Sequence, residues 1–346
     1  MNTWGSLFNT RQLVAIQTFL ECNDEALDAM DEELADKNYK KAVGIYLGLW
    51  LSRTSMFMSN VGLWKPSGEF IAAPFSRQAI PIVWDYPEIN VFADSSGGAK
   101  SQLAWIIRVI THESIKGLPA YITEHDGASL TFETGSVDYV VTDPPYFDAI
   151  SYGDLSDYFY VWLKRVLDKT VPEIFIMPLS PKSDEATALK HRHGGNLERA
   201  EKHFKSKLAQ ILVEAKRTLK TEGMLSIMFA HQSTKAWTAL IDALFEAGLN
   251  IDATWPIDTE REVRSLALGT SALGSSITVA CRPRIIGNAA SFKDVRKEIE
   301  KVVQESVGRF WEYGFRGADL IVACYGPAVG VFGKYERVEK ADGTPI

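Results

Sequence analysis

The stretch that decides the fold reads Val137-Asp138-Tyr139-Val140-Val141-Thr142-Asp143-Pro144-Pro145-Tyr146. Its first six residues are mostly apolar, β-branched or aromatic, which is typical of a strand. Two prolines then end the strand, because proline has no backbone N–H group and fixes φ. We therefore expect the last four residues to lie at the carboxyl end of a strand, where ligands bind in open α/β sheets.

The tetrapeptide Asp143-Pro144-Pro145-Tyr146 has the chemistry needed to hold an exocyclic amine of a nucleic-acid base. Such a nitrogen is a poor nucleophile because its lone pair is delocalised into the ring, and acceptors for its N–H bonds counter this. The Asp143 carboxylate and a stiffly held Pro144 carbonyl are such acceptors, and Tyr146 offers a ring for stacking a flipped base. A plain strand exit, with prolines ending the strand and aspartate beginning a turn, accounts for the same four residues.

The sequence after the tetrapeptide carries a family resemblance. Residues 148–165 read Asp148-Ala149-Ile150-Ser151-Tyr152-Gly153-Asp154-Leu155-Ser156-Asp157-Tyr158-Phe159-Tyr160-Val161-Trp162-Leu163-Lys164-Arg165. With the acidic-Pro-Pro-aromatic motif before it, this block resembles the adenine-specific DNA methylases that contain a zinc ribbon, a branch of the S-adenosylmethionine-dependent amino-methyltransferases. Segments that resemble the C-terminal part of the same family are 7–13, 84–90, 253–260 and 275–284.

The resemblance implies a Rossmann-like class I methyltransferase sheet and S-adenosylmethionine as cofactor. We expect no metal, because the three cysteines of the chain are too far apart in sequence for a zinc ribbon. The resemblance implies catalytic roles for the motif residues, which are Asp143, Pro144, Pro145 and Tyr146. It also implies a pocket for the base, formed by Phe147, Ser151, Tyr152 and Asp154. Asp126, Ala128 and Asp143 are expected to contact the cofactor. Helix capping is the competing interpretation of Asp154, since negative charge favours the first turn of a helix.

Two parts of the family pattern are missing. The glycine-rich cofactor loop has no clear counterpart, and the nearest segment is Phe92-Ala93-Asp94-Ser95-Ser96-Gly97-Gly98, in which Phe92 and Gly97 are weaker cofactor candidates and a surface turn is the alternative. The zinc ribbon is also missing, since Cys22, Cys281 and Cys324 are far apart. We therefore expect the motif-bearing half of a split methyltransferase, with a protein partner that supplies the cofactor loop.

Composition limits the range of partners. The 346 residues carry a formal net charge of −7 and are 46% hydrophobic, which is enough for a substantial core. This charge argues against indiscriminate nucleic-acid binding, so any DNA contact is expected to be local. No apolar run reaches the ~18–20 residues that span a bilayer, and the N-terminus lacks a signal-peptide pattern. We expect no membrane partner and a cytoplasmic location.

The hydrophobic pattern predicts an α/β fold with an added N-terminal helical layer. We expect domains at 1–78 (helical), 79–285 (methyltransferase-like core) and 286–346 (a C-terminal extension packed on the core). Predicted helices are 11–60 as a helical region, 101–116, 154–168, 198–220 and 234–247. Predicted strands are 119–123, 137–142, 223–229, 249–255 and 275–281.

The function predicted from the residues and the resemblance is methylation of the exocyclic amine of adenine in DNA. Three alternatives stay open: a methyltransferase that acts on RNA, a noncatalytic DNA-recognition or assembly subunit with a vestigial site, and a generic nucleotide-binding domain. The polar, locally basic segment 181–196 has two interpretations as well. It is either a mobile loop that contacts phosphates or a solvated linker.

Overall fold

The structure is a computed structural model that describes residues 3–33, 36–75, 78–113, 117–118, 120–231, 233–258, 275–284 and 287–346. The chain forms two compact units that alternate along the sequence. Unit 1 contains residues 1–121 and 151–185, and unit 2 contains residues 122–150 and 186–346. These edges do not coincide with the expected boundaries after residues 78 and 285, and the three predicted domains stay a prediction.

Unit 1 is mainly helical. Its elements are α1 (Thr10–Glu33), α2 (Lys37–Ser55), β1 (Leu63–Lys65), β2 (Phe70–Ala72), α3 (Ala99–Glu113) and α4 (Tyr152–Leu167). The Asp36 side chain starts α2 by accepting hydrogen bonds from the backbone N–H groups of Asn38 and Tyr39. Helix α2 packs against α1, α3 and α4. The predicted helical region 11–60 is confirmed in α1 and α2, and α3 confirms the helix expected at 101–116, of which residues 114–116 lie outside the described ranges.

The core of unit 1 is built around one face of α4. Tyr158 and Trp162, one helical turn apart, are both buried, and the Phe8 ring stacks on Tyr158 with 5.6 Å between ring centroids. The Tyr158 hydroxyl donates to the Ser55 carbonyl of α2 at 2.9 Å. Helix α4 confirms the helix predicted at 154–168, and the buried side of α4 is aromatic.

Unit 2 contains a mixed sheet and the helices that cover it. Its elements are β3 (Val137–Thr142), α5 (Leu197–Thr218), β4 (Leu219–Phe229), α6 (Thr234–Glu246), β5 (Leu249–Asp258), β6 (Ser275–Pro283), β7 (Ala290–Ser291), α7 (Phe292–Glu312), α8 (Gly317–Ala323), α9 (Tyr325–Gly333) and β8 (Val338–Glu339). The sheet has the order β3-β4-β6-β5 among the described residues. Strand β3 runs parallel to β4, and β6 lies between β4 and β5 and is antiparallel to both.

Buried apolar residues alternate along β4 and form the centre of the core of unit 2. Leu225, Ile227 and Phe229 point to the same face and are completely buried, together with Phe204 of α5 and Leu240 of α6. Burying a large apolar side chain stabilises the fold by roughly 1.5–3 kcal/mol. The strand expected at 137–142 is confirmed with the same ends. The strands expected at 223–229, 249–255 and 275–281, and the helices expected at 198–220 and 234–247, are confirmed with shifted ends.

One predicted element is wrong. The strand expected at 119–123 is absent from the described residues 120–126, which form neither strand nor helix. Its apolar part is only Ala120-Tyr121-Ile122, and Tyr121 and Ile122 are both exposed. So short a run gains too little from burial to hold a strand without a neighbour.

Candidate functional site

The Asp143 carboxylate lies at the carboxyl end of β3 and is exposed. Within the described part of the chain it has no hydrogen bond or ion pair, and the carbonyl of the buried Pro144 likewise accepts no hydrogen bond. Two acceptors on consecutive residues thus remain available at one strand end. The direction of the Pro144 carbonyl is fixed by the backbone, because Pro144 belongs to a Pro-Pro pair.

Tyr146 and Phe147 turn the chain away from the strand end. The Phe147 N–H group donates to the Pro145 carbonyl at 3.1 Å, and Phe147 has a φ of 56°, a conformation that bulky residues rarely adopt. Its buried ring packs edge-on against Phe204 with 5.0 Å between centroids. The Tyr146 ring is half-buried and packs against Phe229 of β4 at 5.6 Å. Burial of Phe147 thus offsets the strained backbone that positions Tyr146.

A histidine of the neighbouring strand end holds the loop after the motif. His231 follows β4, and its Nδ1 accepts the Ser233 N–H group at 3.0 Å, so the ring proton is on Nε2. Nε2 then donates to Asp148 at 3.1 Å, and the Phe147 ring lies against the imidazole with 5.5 Å between centroids. This pair was not predicted. Residues 148 and 231 come together because each follows one of two parallel neighbours, β3 and β4. Predicting the pairing of these two strands from the sequence would have been the way to find this contact.

Asp126, one of the three cofactor candidates, is paired within the fold. Its carboxylate binds Lys207 Nζ of α5 at 2.7 Å and accepts the Ala128 N–H group at 2.9 Å. The Lys207 side chain is 10% exposed and that of Asp126 is 46% exposed. Hydrogen bonding to Lys207, followed by that from Ala128, lowers the pKa of Asp126. The Ala128 backbone N–H group, another candidate, is engaged in this same turn.

Three residues of the expected base pocket lie in unit 1, at the start of α4. The Ser151 hydroxyl donates to Asp154 at 3.0 Å, and Asp154 occupies the first helical turn. Tyr152 is 40% exposed. The negative charge of Asp154 thus lies in the first turn, where the helix dipole favours it, and both its capping role and its contact with a base stay predictions. The motif residues and Phe147 belong to unit 2, as do Asp126 and Ala128.

The weaker cofactor candidates also lie in unit 1, in the turns before α3. Phe92 is 87% exposed, and a Cβ atom on Gly97 would overlap the Ile89 side chain. On Gly98 it would overlap the Ala93 carbonyl oxygen. Close packing of these turns therefore explains both glycines without a ligand. Whether Phe92 or Gly97 contacts a cofactor stays a prediction.

The described residues contain no cluster of three or more His, Cys, Asp or Glu side chains arranged for a metal ion. No helix among them has the length and apolar character required to cross a membrane. In comparisons with known proteins, no family model, no curated protein and no solved structure matches this chain. The geometry of the Asp143 strand end therefore has to support any functional proposal by itself.

Proposed function

We propose that this chain takes part in S-adenosylmethionine-dependent methylation of the exocyclic amine of adenine in DNA, as the half of a split methyltransferase that carries Asp-Pro-Pro-Tyr. One observation supports the proposal most directly. Asp143 and Pro144 present two acceptors at the carboxyl end of a strand that has a parallel neighbour, and the described part of the fold uses neither. A plain strand exit needs no such acceptors.

The residues of this chain hold and orient the amine. One N–H group of the amine donates to the Asp143 carboxylate and the other donates to the Pro144 carbonyl. These two hydrogen bonds reduce the delocalisation of the nitrogen lone pair into the ring. The base stacks on Tyr146, whose ring is backed by Phe229. The Asp143 carboxylate would also stabilise the positive charge that develops on the nitrogen. The cofactor would supply the methyl group and leave as a neutral thioether, and the methylated amine would then lose one proton to solvent.

Two of the residues expected to hold the cofactor have structural roles among the described residues. Asp126 neutralises Lys207, and Gly97 is explained by packing. The sheet supports a partner that completes the site. Among the described residues β3 is an edge strand of the sheet, and its Tyr139 and Val141 side chains are 68% and 82% exposed. Parallel sheets are usually covered on both faces.

The strand order supports the methyltransferase interpretation of this sheet. Strands β3, β4 and β5 run in one direction, and β6 is the reversed strand inserted between β4 and β5. The sheet that the resemblance implies has this arrangement on the side of its acidic-Pro-Pro-aromatic strand.

The test is transfer of labelled methyl from S-adenosylmethionine to duplex DNA, with separate arms for structured RNA and for the chain with and without a copurified partner. Digestion to nucleosides identifies the methylated base. We expect Asp143→Ala to reduce transfer at least 100-fold, since one preorganised polar group is worth about 10²–10³ in rate. Asp143→Asn keeps one acceptor oxygen, so its transfer rate should lie between those of the wild type and Asp143→Ala.

Asp138→Ala is the matched control. Asp138 lies on the same strand and pairs with Lys220 on the surface at 2.6 Å, so its loss should change transfer less than twofold. Near-normal transfer by Asp143→Ala would refute the assignment. Methyl groups recovered only from RNA, or on cytosine, would refute the choice of substrate.

A noncatalytic recognition subunit is the second candidate, and the pairing of Asp126 with Lys207 favours it. Calorimetric titration with S-adenosylmethionine separates the two. A DNA-binding complex of chain and partner that neither binds the cofactor nor transfers methyl would support the noncatalytic role.

A further inference from the structure

The described part of unit 2 contains a cavity of about 650 Å³ between β5, α7 and α9. Residues 250–253 at the start of β5 form its floor, and one side of each helix forms a wall. Gly330 lets the backbone of α9 approach the Ile251 carbonyl of β5. Cavities that bind small molecules usually have volumes of roughly 300–1,000 Å³, so this one is large enough for a ligand.

The cavity is separate from the Asp143 strand end. Strands β3, β4 and β5 run in one direction. The start of β5 therefore lies at the edge of the sheet opposite the carboxyl end of β3, where Asp143 lies. Asp252, in the floor of the cavity, is the extra residue of a bulge in β5, and such bulges are frequent next to active sites. A ligand in this cavity would not contact the nucleotide presented to Asp143.

Two side chains of opposite charge belong to the α7 wall. Glu305 and Arg309 both line the cavity and are both exposed. Glutamate and arginine four residues apart on a helix often pair, but among the described residues neither side chain has an ion pair or a hydrogen bond. The Arg309 guanidinium instead lies 5.1 Å from the centroid of the Phe310 ring. Both charges are therefore available to a ligand.

The other two charged residues of the lining balance each other. Asp252 pairs with Arg282 at 2.9 Å. Lys334 pairs with Glu298 at 2.6 Å. Together with the α7 wall, the lining thus carries two acidic and two basic side chains. Such a balance does not favour a purely anionic or purely cationic ligand, and it favours a small molecule that carries one charge of each sign.

Ser306 adds an unused donor to the α7 wall. It lines the cavity, lies between Glu305 and Arg309 in sequence, and is 5% exposed. Its hydroxyl has no hydrogen bond within the described ranges. A buried hydroxyl without a partner costs free energy, so an acceptor on a ligand would stabilise it. Ser306 and Arg309 are three residues apart and share one side of α7, where one carboxylate can accept from both.

We propose that this cavity binds a free α-amino acid. The carboxylate of the ligand accepts hydrogen bonds from the Arg309 guanidinium and the Ser306 hydroxyl, and its ammonium donates to the Glu305 carboxylate. One molecule reaches both charges because Glu305 and Arg309 are one helical turn apart, with roughly 5–6 Å between Cβ atoms. The side chain of the ligand contacts the apolar part of the lining, which consists of Val302, Pro327 and Val331.

The test begins with thermal unfolding of the full chain in the presence of each standard L-amino acid at millimolar concentration. We expect at least one of them to raise the unfolding midpoint by about 2 °C or more, because a ligand that binds only the folded state stabilises it. Calorimetric titration with that amino acid then gives its dissociation constant. An unchanged midpoint with every amino acid would overturn the inference.

Two substitutions on α7 distinguish this site from a general effect of charge. Arg309→Gln removes the proposed partner of the carboxylate and should raise the dissociation constant at least tenfold, since hydrogen bonds between charged groups are strong. Arg296→Gln is the matched control, because Arg296 is exposed on the same helix, pairs with Glu300 at 2.8 Å and does not line the cavity. The control should change the constant less than twofold. Equal weakening by both substitutions would contradict the proposed contacts.

Ligand analogues test the same contacts on the unaltered chain, so the result does not depend on how the Arg309→Gln variant folds. The N-acetyl derivative of the bound amino acid lacks the ammonium, and the amide lacks the carboxylate. Each should bind at least tenfold more weakly than the parent. An analogue or inorganic phosphate that binds as tightly as the parent would refute an α-amino acid site. None of these outcomes depends on methyl transfer, so they are separable from a failure of the proposed function.

Discussion

Replacing Asp126 by alanine should destabilise the fold, because the nearly buried Lys207 ammonium loses the carboxylate that neutralises its charge. Breaking a buried pair costs about 3–5 kcal/mol, and breaking a surface pair costs about 0–1 kcal/mol. Lys207 is 10% exposed but Asp126 is 46% exposed, and the bond between them is 2.7 Å long. We therefore expect a loss of about 2 kcal/mol in the free energy of unfolding, between the two limits.

The effect should depend on pH in a definite direction. Because the pKa of Asp126 is lowered in the folded chain, its pairing with Lys207 stabilises the fold above the ordinary aspartate pKa of about 3.9. That stabilisation is lost as the pH falls through the lowered folded value. The difference in unfolding free energy between the wild type and Asp126→Ala should be constant near neutral pH and should shrink in acid below about pH 4.

Denaturant unfolding of Asp126→Ala, Lys207→Met and the double variant measures the coupling directly. Lys207→Met removes the charge and keeps an apolar chain, so it should cancel most of the loss caused by Asp126→Ala. Asp138→Ala is the control, since its pair with Lys220 has the same chemistry and a 2.6 Å distance but is exposed on both sides. Equal losses in Asp126→Ala and Asp138→Ala, or no rescue by Lys207→Met, would refute the reasoning.

Further predictions concern the packing of both units. Gly330→Ala should lower the free energy of unfolding by more than 2 kcal/mol, because its Cβ atom would overlap the Ile251 carbonyl oxygen of β5, which cannot swing away as a side chain can. Gly308→Ala on α7 is its control and should stabilise by about 0.5–1 kcal/mol, since no atom lies near its Cβ position and alanine favours helix. Tyr158→Phe should cost about 0.5–1.5 kcal/mol, because the buried Ser55 carbonyl loses the Tyr158 hydroxyl and keeps only the Met58 N–H group at 3.2 Å as a donor. Denaturant unfolding tests all three, and a stabilised Gly330→Ala or an unchanged Tyr158→Phe would contradict them.

The sequence predicted those elements whose pattern is long and local. Helix α5 is an example, because its buried residues Phe204, Leu208 and Leu212 recur every four positions. Strand β4 is another, because Leu225, Ile227 and Phe229 alternate. Neither pattern depends on distant parts of the chain.

The pairing of distant parts was not predictable in the same way. The place of β6 between β4 and β5 depends on contacts between segments far apart in sequence. The pairs of Lys207 with Asp126 and of His231 with Asp148 span 81 and 83 residues. The sequence around a charged residue does not identify its partner, so the sequence marks Asp126 as a cofactor candidate and gives no sign that Lys207 of α5 pairs with it.

The Asp126–Lys207 pair also limits how this chain can contribute to a cofactor site. A carboxylate that turns towards a cofactor would give up hydrogen bonding to a nearly buried ammonium, and the cost of that exchange reduces the affinity for the cofactor. Asp143 faces no such competition among the described residues. If the cofactor uses Asp126, then Asp126→Ala should weaken S-adenosylmethionine binding in the complete complex. Equal binding by wild type and variant would show that Asp126 serves the fold and that the cofactor is held by other residues, as the split arrangement requires.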